Sequence, residues 1–321
     1  MNRRTAVPAL ARSIVRGDRR ALAQAISAVE NGAPSAGPIL RALYPRTGRV
    51  PVVGLTGPLG VGKSSLLSVL VAHLRSLGRT VGIVAVDPSS PFSGGSVLGD
   101  RIRFDHAPGD NGVFFRSMAS RGAAGGIAVT TREVVRLVEA AGFDLILVET
   151  VGSGQVDISI RDVASTRVVV LVPHLGDEVQ TLKAGLFEIA DIFCVNKSDL
   201  PGSELAERDL SELAALGPAR DGWRPTVVRT STVTPSGLPA LWGAIDAHEK
   251  YLDATGARAA GERLRLTREI VERARDRISA ELLHRIDRDP RLRALLDRVA
   301  ARTLDPRSAA DRLVSDLGRR R

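Results

Sequence analysis

The chain has 321 residues, 44% of them hydrophobic, and a single cysteine, which excludes an intramolecular disulfide and points to a reducing compartment. No uninterrupted apolar run reaches the roughly 18 residues of a membrane span, and the charged first twenty residues lack the apolar core of a secretion signal; the expected location is the cytoplasm. The formal charge of +9 divides into +7 over residues 1–50, −4 over 51–250 and +6 over 251–321, and with aromatics at 3% this basicity describes solvated or interface helices rather than a nucleic-acid surface.

In chain order, residues 17–44 read as two short amphipathic helices broken near Gly32–Pro38. From Val50 the pattern changes to apolar runs alternating with helical stretches: VPVVGLTG, TVGIVAVDP, DLILVET, TRVVVLVP, DIFCVNKSD and TVVRTS. Continuous apolar strands separated by helices predict an α/β fold with a mostly parallel sheet covered on both faces. After Tyr251 the strands stop. The stretch RLRLTREIVERARDRISAELLHRI sets Leu266, Ile270, Ala274, Ile278, Leu282 and Ile286 on one helical stripe. Asp289-Pro290 and Asp305-Pro306 each read as an N-cap followed by proline at the first helical position. The expected division is a helical extension over 1–49, a nucleotide-binding domain over 50–250, and an arm of three helices over 251–321 that packs on something else.

The first apolar run leads into Gly57-Pro58-Leu59-Gly60-Val61-Gly62-Lys63-Ser64 and then a helical stretch beginning at Ser65. This is the strand–GxxxxGK[ST]–helix arrangement of a P-loop. Its glycines let backbone N–H groups, including that of Val61, curl around an anion. Lys63 reaches the β- and γ-phosphates, and the Ser64 hydroxyl ligates Mg²⁺ at a helix start that favours negative charge. Asn196-Lys197-Ser198-Asp199 closes a later strand and matches NKxD. The Asp199 carboxylate can accept from guanine N1–H and N2–H₂, while Asn196 and Lys197 hold the loop. A lone NKxD is also a common polar turn, but this one falls at a strand end, where open α/β sheets bind ligands. Thr230-Ser231-Thr232 supplies a second, weaker guanine-side loop, with Ser231 and Thr232 as the nucleotide contacts. GTP, rather than ATP, is the expected nucleotide, because adenine would leave the carboxylate unpaired.

Asp87 ends TVGIVAVDP and Glu149 ends DLILVET, each where an acid of the Walker-B kind faces Mg²⁺. Asp100 follows SSPFSGGSVLG; all three residues also suit caps or turns. TVGSGQ (150–155) has the form of a γ-phosphate-sensing loop, with Gly152 offering its N–H and Gln155 a candidate for positioning water. PHLGDEVQTLKAG (173–185) places Asp177, Glu178, Gln180 and Lys183 between two core strands. Helix capping accounts for the two acids, but for neither Gln180 nor Lys183. Three of the four lysines in the chain, Lys63, Lys183 and Lys197, fall in nucleotide-linked motifs, so this segment is read as a switch.

Read together, VDPSSP (86–91), GGSVLGDRIR (94–103), SRGAAGG (120–126), VETVGSGQ (148–155), GDEVQTLKAG (176–185) and NKSD (196–199) resemble the metallochaperone-type P-loop GTPases associated with methylmalonyl-CoA mutase, also labelled lysine, arginine and ornithine transport-system kinases. The likeness covers nearly the whole chain. It implies a GTPase with GTP or GDP and Mg²⁺ bound, dimeric through the C-terminal arm, that gates adenosylcobalamin loading and removes inactivated cobalamin from an acyl-CoA mutase. By position it implies Lys63 and Ser64 on phosphates and Mg²⁺, and Asp87, Asp100 and Glu149 in the Mg²⁺ shell. Asn196, Lys197 and Asp199 serve the guanine, and Asp177, Glu178, Gln180 and Lys183 form a third switch. Gln155 and Lys183 are the candidates for completing catalysis. Ser153, Val156-Asp157, His174 and Ala123-Ala124 depart from the family's usual residues, which bears on switch geometry and partner identity rather than on GTP binding. Two other readings remain: a kinase of periplasmic amino-acid-binding proteins, and a metal-insertion GTPase. The latter would need a Cys/His cluster, and the spacing of this chain's five histidines does not form one.

Overall fold

A computed structural model describes residues 3–87, 110–119, 129–150, 158–173, 188–217, 219–286 and 288–318. The chain divides into two compact units, Met1–Arg263 and Leu264–Arg321. In the first, strands β1 (Val52–Thr56), β2 (Val81–Asp87), β3 (Val113–Ala119), β4 (Leu145–Glu149), β5 (Thr166–Leu171), β6 (Ile192–Val195) and β7 (Thr226–Arg229) form one sheet in the order β3-β2-β4-β1-β5-β6-β7. Every pairing among them is parallel. All their C-terminal ends therefore lie along one edge.

Side chains alternate between two cores, as the two-residue period of a strand requires. Val53, Leu55, Leu145, Leu147, Val168, Val170, Ile192 and Cys194 pack with helices α4 (Lys63–Ser76) and α7 (Leu238–Thr255). Ile146, Val148, Val169, Leu171, Phe193 and Val195 pack on the other face with α1 (Arg3–Val15), α2 (Arg19–Glu30), α3 (Ala36–Leu43), α5 (Val129–Ala140) and α6 (Ser203–Leu216). The central strands β1 and β4 are buried along their whole length because both faces are covered.

Three features depart from the sequence expectation. Helix α1 precedes the two expected helices and buries Ala11 and Ile14. Pro38 lies inside α3 rather than in the break before it, since the first turn of a helix tolerates a residue without an N–H. Strand β3 was not apparent because Arg116 interrupts its apolar run. In the fold Arg116 pairs with Glu30 and reaches Ser27, both on α2. Arg19, also on α2, donates to the carbonyls of Asn111 and Val113 and covers the Phe143 ring, fixing the N-terminal helices to this edge of the sheet.

The N-terminal edge of the sheet holds a buried polar cluster. Asp191, just before β6, takes a bidentate pair from Arg167 at 2.7 Å and 2.7 Å. The Thr166 hydroxyl donates to Glu249 Oε1 at 2.5 Å, so His248 Nδ1, 2.7 Å from the same hydroxyl, is its donor, leaving the Nε2 lone pair 3.7 Å from Asp191. Arg258 pairs with Glu249 at 2.7 Å. Trp223 stacks edge-on against the imidazole and donates to the Asp191 carbonyl.

In the second unit, most of helix α8 (Ala257–Ile286) is followed by α9 (Pro290–Ala300) and α10 (Pro306–Gly318). Asp289 caps α9 through Arg291 N, and Asp305 caps α10 through Ser308 N, each before a proline at the first helical position. Within the single chain, Ile270 and Ile278 of the apolar stripe are exposed, while Glu269 is buried and paired with Arg273. No helix among the described residues is long and apolar enough to cross a membrane.

Burial lowers the His248 pKa, with Arg167 and Arg258 acting in the same direction and Asp191 and Glu249 opposing them. The unfolded chain takes up its proton near pH 6.5, before the folded one does. The stability contributed by neutral His248 is therefore complete above that pH and is lost as pH falls toward the lower folded value. Urea unfolding followed from pH 7.5 to 5 is expected to show a steeper loss of stability in the native chain than in His248→Gln; parallel curves would remove His248 from the acid response.

Candidate functional site

Strand β1 ends at Thr56, and the chain turns through 57–62 before α4 begins at Lys63. Gly57 has φ +149° and lies so close to β5 that a Cβ there would come within 2.2 Å of the Val170 carbonyl oxygen. Gly62 has φ +88°, and its Cβ would meet Asn196 Nδ2 at 2.7 Å. The glycines are therefore demanded by close approach of two neighbouring strand ends as well as by backbone conformation. Val61 is buried in the core beneath α4 and anchors the loop, whereas Leu59 is 79% exposed at its tip.

Lys63 is buried, and its ammonium donates to the carbonyls of Gly57 (2.9 Å) and Pro58 (3.0 Å). Burial lowers its pKa and the nearby Glu149 carboxylate opposes that shift. The Ser64 hydroxyl donates to Glu149 Oε1 at 2.5 Å, and Glu149, at the end of β4, is 8% exposed. Ser65 occupies the next, exposed position of the helix. Asp87 closes β2, two residues beyond Ala85, which pairs in register with Glu149; the Asp87 side chain lies outside the described residues.

From β6, the NKSD segment folds against this loop. Asn196 is fully buried and donates from Nδ2 to the Val61 carbonyl at 2.8 Å. Lys197 adopts a left-handed conformation with φ +55° and donates to the Gly60 carbonyl at 2.9 Å. Asp199 is exposed, and its Oδ1 accepts from the Ser231 hydroxyl at 2.5 Å. Ser231 Oγ in turn accepts from Val233 N and Thr234 N, which ties the carboxylate to the turn after β7. Thr232 is half-buried in that turn.

Gly57, Gly60, Val61, Gly62, Lys63, Ser64, Glu149, Asn196, Lys197, Asp199 and Ser231 are thus brought to one edge of the sheet. Asp100, Gly152, Gln155, Asp177, Glu178, Gln180 and Lys183 lie outside the described residues, as do Ser153 and His174. Sequence reasoning left Cys194 without a role and Thr230 without a stated contact. Thr230 Oγ1 bonds both Asn196 Oδ1 (3.2 Å) and Cys194 Sγ (3.1 Å), and its only sequence signal was its place beside Ser231.

A parallel α/β sheet whose first strand delivers a lysine-bearing glycine loop, stitched to an NKxD loop two strands away, defines a P-loop GTPase. A family model described as methylmalonyl Co-A mutase-associated GTPase MeaB matches residues 22–287, and the chain belongs to that family. A protein of Pyrococcus abyssi bearing a GTPase name is 43% identical over 307 residues, 94% of each chain. The mouse protein named methylmalonic aciduria type A homolog, mitochondrial, is 34% identical over 265 residues, 77% of this chain and 64% of the mouse one. The crystal structure titled LAO/AO transport system kinase aligns over 99% of both chains with a TM-score of 0.73 and 26% identity.

The crowding at Gly57 can be separated from simple backbone strain. Gly60 also has positive φ, +80°, but among the described residues nothing lies within 4 Å of its missing Cβ. In urea unfolding, Gly60→Ala is expected to cost about 1–3 kcal/mol, the range for strained backbone. Gly57→Ala is expected to cost more, because the Val170 carbonyl must also move; equal losses would discount that contact.

Proposed function

We propose that this GTPase couples its nucleotide state to an adenosylcobalamin-dependent acyl-CoA mutase, gating cofactor loading and protecting or reactivating the enzyme. The observation that carries the nucleotide half is the stitching of the Lys63 loop to the NKSD segment through Asn196 and Lys197. The mutase half rests on the family description and on the name of the mouse relative. The cytoplasm is the location that accords with this role.

In this reading, the backbone N–H groups of Gly60 to Ser65 surround the phosphates. The Lys63 ammonium exchanges the Gly57 and Pro58 carbonyls for phosphate oxygens and recovers from its desolvation beside an anion. Asp199, aimed by Ser231, accepts from guanine N1–H and N2–H₂, with Thr232 alongside. Asn196 and Lys197 hold that loop. Ser64 and Glu149 place two hard oxygen donors 2.5 Å apart at a buried strand end, a set that suits Mg²⁺; Asp87 and Asp100 are assigned to the same shell. Mg²⁺, when bound, neutralises charge on the β- and γ-phosphates. Gly152 and Gln155 are assigned to the γ-phosphate and the attacking water. Asp177, Glu178, Gln180 and Lys183 are assigned to the segment that passes nucleotide state to the mutase. Hydrolysis is slow alone and accelerated when the partner completes the site, an effect of roughly 10³–10⁵ in comparable GTPases.

The test is turnover of GTP and ATP with and without a purified cobalamin-dependent mutase. GTP preference and mutase stimulation are expected; ATP preference, or indifference to every mutase tried, would overturn the proposal. Lys63→Ala is expected to abolish GTP binding, whereas Lys183→Ala is expected to keep binding and lose the stimulation.

The arm of α8 to α10 is assigned to self-association, with the exposed stripe at Ile270 and Ile278 as the surface covered by a second copy. Sedimentation of the native chain is expected to give a dimer and that of the Ile270→Asp, Ile278→Asp double variant a monomer. A native monomer, or a variant that stays dimeric, would assign the stripe elsewhere.

A further inference from the structure

The N-terminal helices hold six arginines without a counter-charge. Residues 7–50 carry seven arginines, no lysine and two acids. Both acids are engaged: Asp18 caps α2 by accepting from Arg20 N (2.9 Å) and Ala21 N (3.1 Å), and Glu30 pairs with Arg116. Arg19 is engaged as well, by the carbonyls of Asn111 and Val113. Arg12, Arg16, Arg20, Arg41, Arg46 and Arg49 are exposed and make no ion pair among the described residues. We infer that these arginines form a docking face for an acidic protein surface, carried by the acyl-CoA mutase of the proposed function. The inference rests on that reading and adds to it the face on which the partner lands.

Helices α1, α2 and α3 pack on one another, and their apolar sides share one core through Ala11, Ile14, Leu22, Ile26, Ile39 and Leu43. The arginines occupy the solvent-facing sides and the turn that follows α3. Helix dipoles explain only part of this. Arg12, Arg16 and Arg41 stand at helix C-terminal ends, where a cation is favoured. Arg20 stands in the first turn of α2, where a cation is disfavoured, and Arg46 and Arg49 lie beyond α3. Solubility would be served by mixing both signs. Other parts of the chain do mix them, pairing Arg75 with Asp110, Arg167 with Asp191, Arg229 with Glu207 and Arg273 with Glu269.

The chemistry of the face selects the kind of partner. A guanidinium grips a carboxylate with two parallel hydrogen bonds, as Arg167 grips Asp191 within this chain. A nucleic acid strand is held on aromatic platforms, and a membrane surface takes up large exposed apolar side chains. Among the described residues of this layer Tyr44 is the one large apolar side chain that is exposed, and Arg136 lies over its ring at 5.7 Å. Carboxylates on a protein need neither feature. Arg46 and Arg49 come just before β1, at the N-terminal edge of the sheet. Docking here therefore leaves the nucleotide loops at the opposite edge free. Attraction between such a face and its partner acts mainly on the rate of encounter, and salt screens it.

The test follows the association rate of a purified cobalamin-dependent mutase with the full chain at about 50 and about 200 mM salt. The native chain is compared with the triple variant Arg20→Glu, Arg46→Glu, Arg49→Glu. A control triple variant, Arg79→Glu, Arg224→Glu, Lys250→Glu, makes the same change in charge elsewhere. At the lower salt the first triple variant is expected to associate about 10-fold more slowly than the native chain, and the control within about 3-fold of it. Raising the salt is expected to slow the native chain and to narrow that gap, while GDP binding and thermal unfolding of the first triple variant stay native-like. Native-like association of that variant, or an equal loss in the control, would overturn the docking face while leaving the mutase reading standing. Loss of duplex-DNA or phosphatidylglycerol-vesicle binding in that variant, with mutase association unchanged, would give the face to those partners and overturn the inference. Should the variant fail to fold, Arg20→Gln, Arg46→Gln, Arg49→Gln decides by the same comparison. A native chain that neither binds nor responds to any mutase tried would overturn the proposed function itself, and this inference with it.

Discussion

The carbonyls of the phosphate loop are the constraint on which the site depends. Gly57 and Pro58 turn theirs to Lys63, Gly60 to Lys197, and Val61 to Asn196. A trans peptide sends its N–H the opposite way from its C=O. Lys197 and Asn196, which hold the Gly60 and Val61 carbonyls, therefore turn the N–H groups of Val61 and Gly62 the other way, as an anion cup requires. The cup is not a property of the glycine loop alone. Half of its fastening comes from the end of β6, and that strand is in place only because the whole sheet is.

The two edges of the sheet are polar for different reasons. At the C-terminal edge, Asp199 is exposed and Ser64 half-buried, and the buried groups behind them, Asn196, Thr230 and Cys194, are bonded to one another. At the N-terminal edge, Asp191 is paired with Arg167 and Glu249 with Arg258. Removing one member there would leave a buried charge uncompensated, which costs far more than the pair contributes.

Much of the site was legible because it is written in short, continuous strings. GPLGVGKS names its own chemistry: glycines at turns, a lysine for phosphate, a hydroxyl at a helix start. NKSD likewise declares an acid held beside a strand end. Strand β3 was illegible because the charge of Arg116 reads as a surface residue until Glu30, 86 residues earlier, is folded against it. The His248 cluster was illegible for the same reason. Its members come from β5, from the residue before β6, from α7 and from the start of α8, and each taken alone reads as an ordinary polar residue.

By itself, the sequence determined that a parallel sheet would carry a phosphate loop and a guanine loop on the same edge, because strand patterning and glycine spacing are local properties of the backbone. The tertiary structure decided which side chains fasten those loops together. The register Val195↔Arg229 between β6 and β7 sets Thr230 beside Asn196, and the β1–β5 pairing brings Val170 against Gly57. Registers of this kind follow from how the two cores pack around the strands, so contacts between residues far apart in the chain exist only once the sheet has closed.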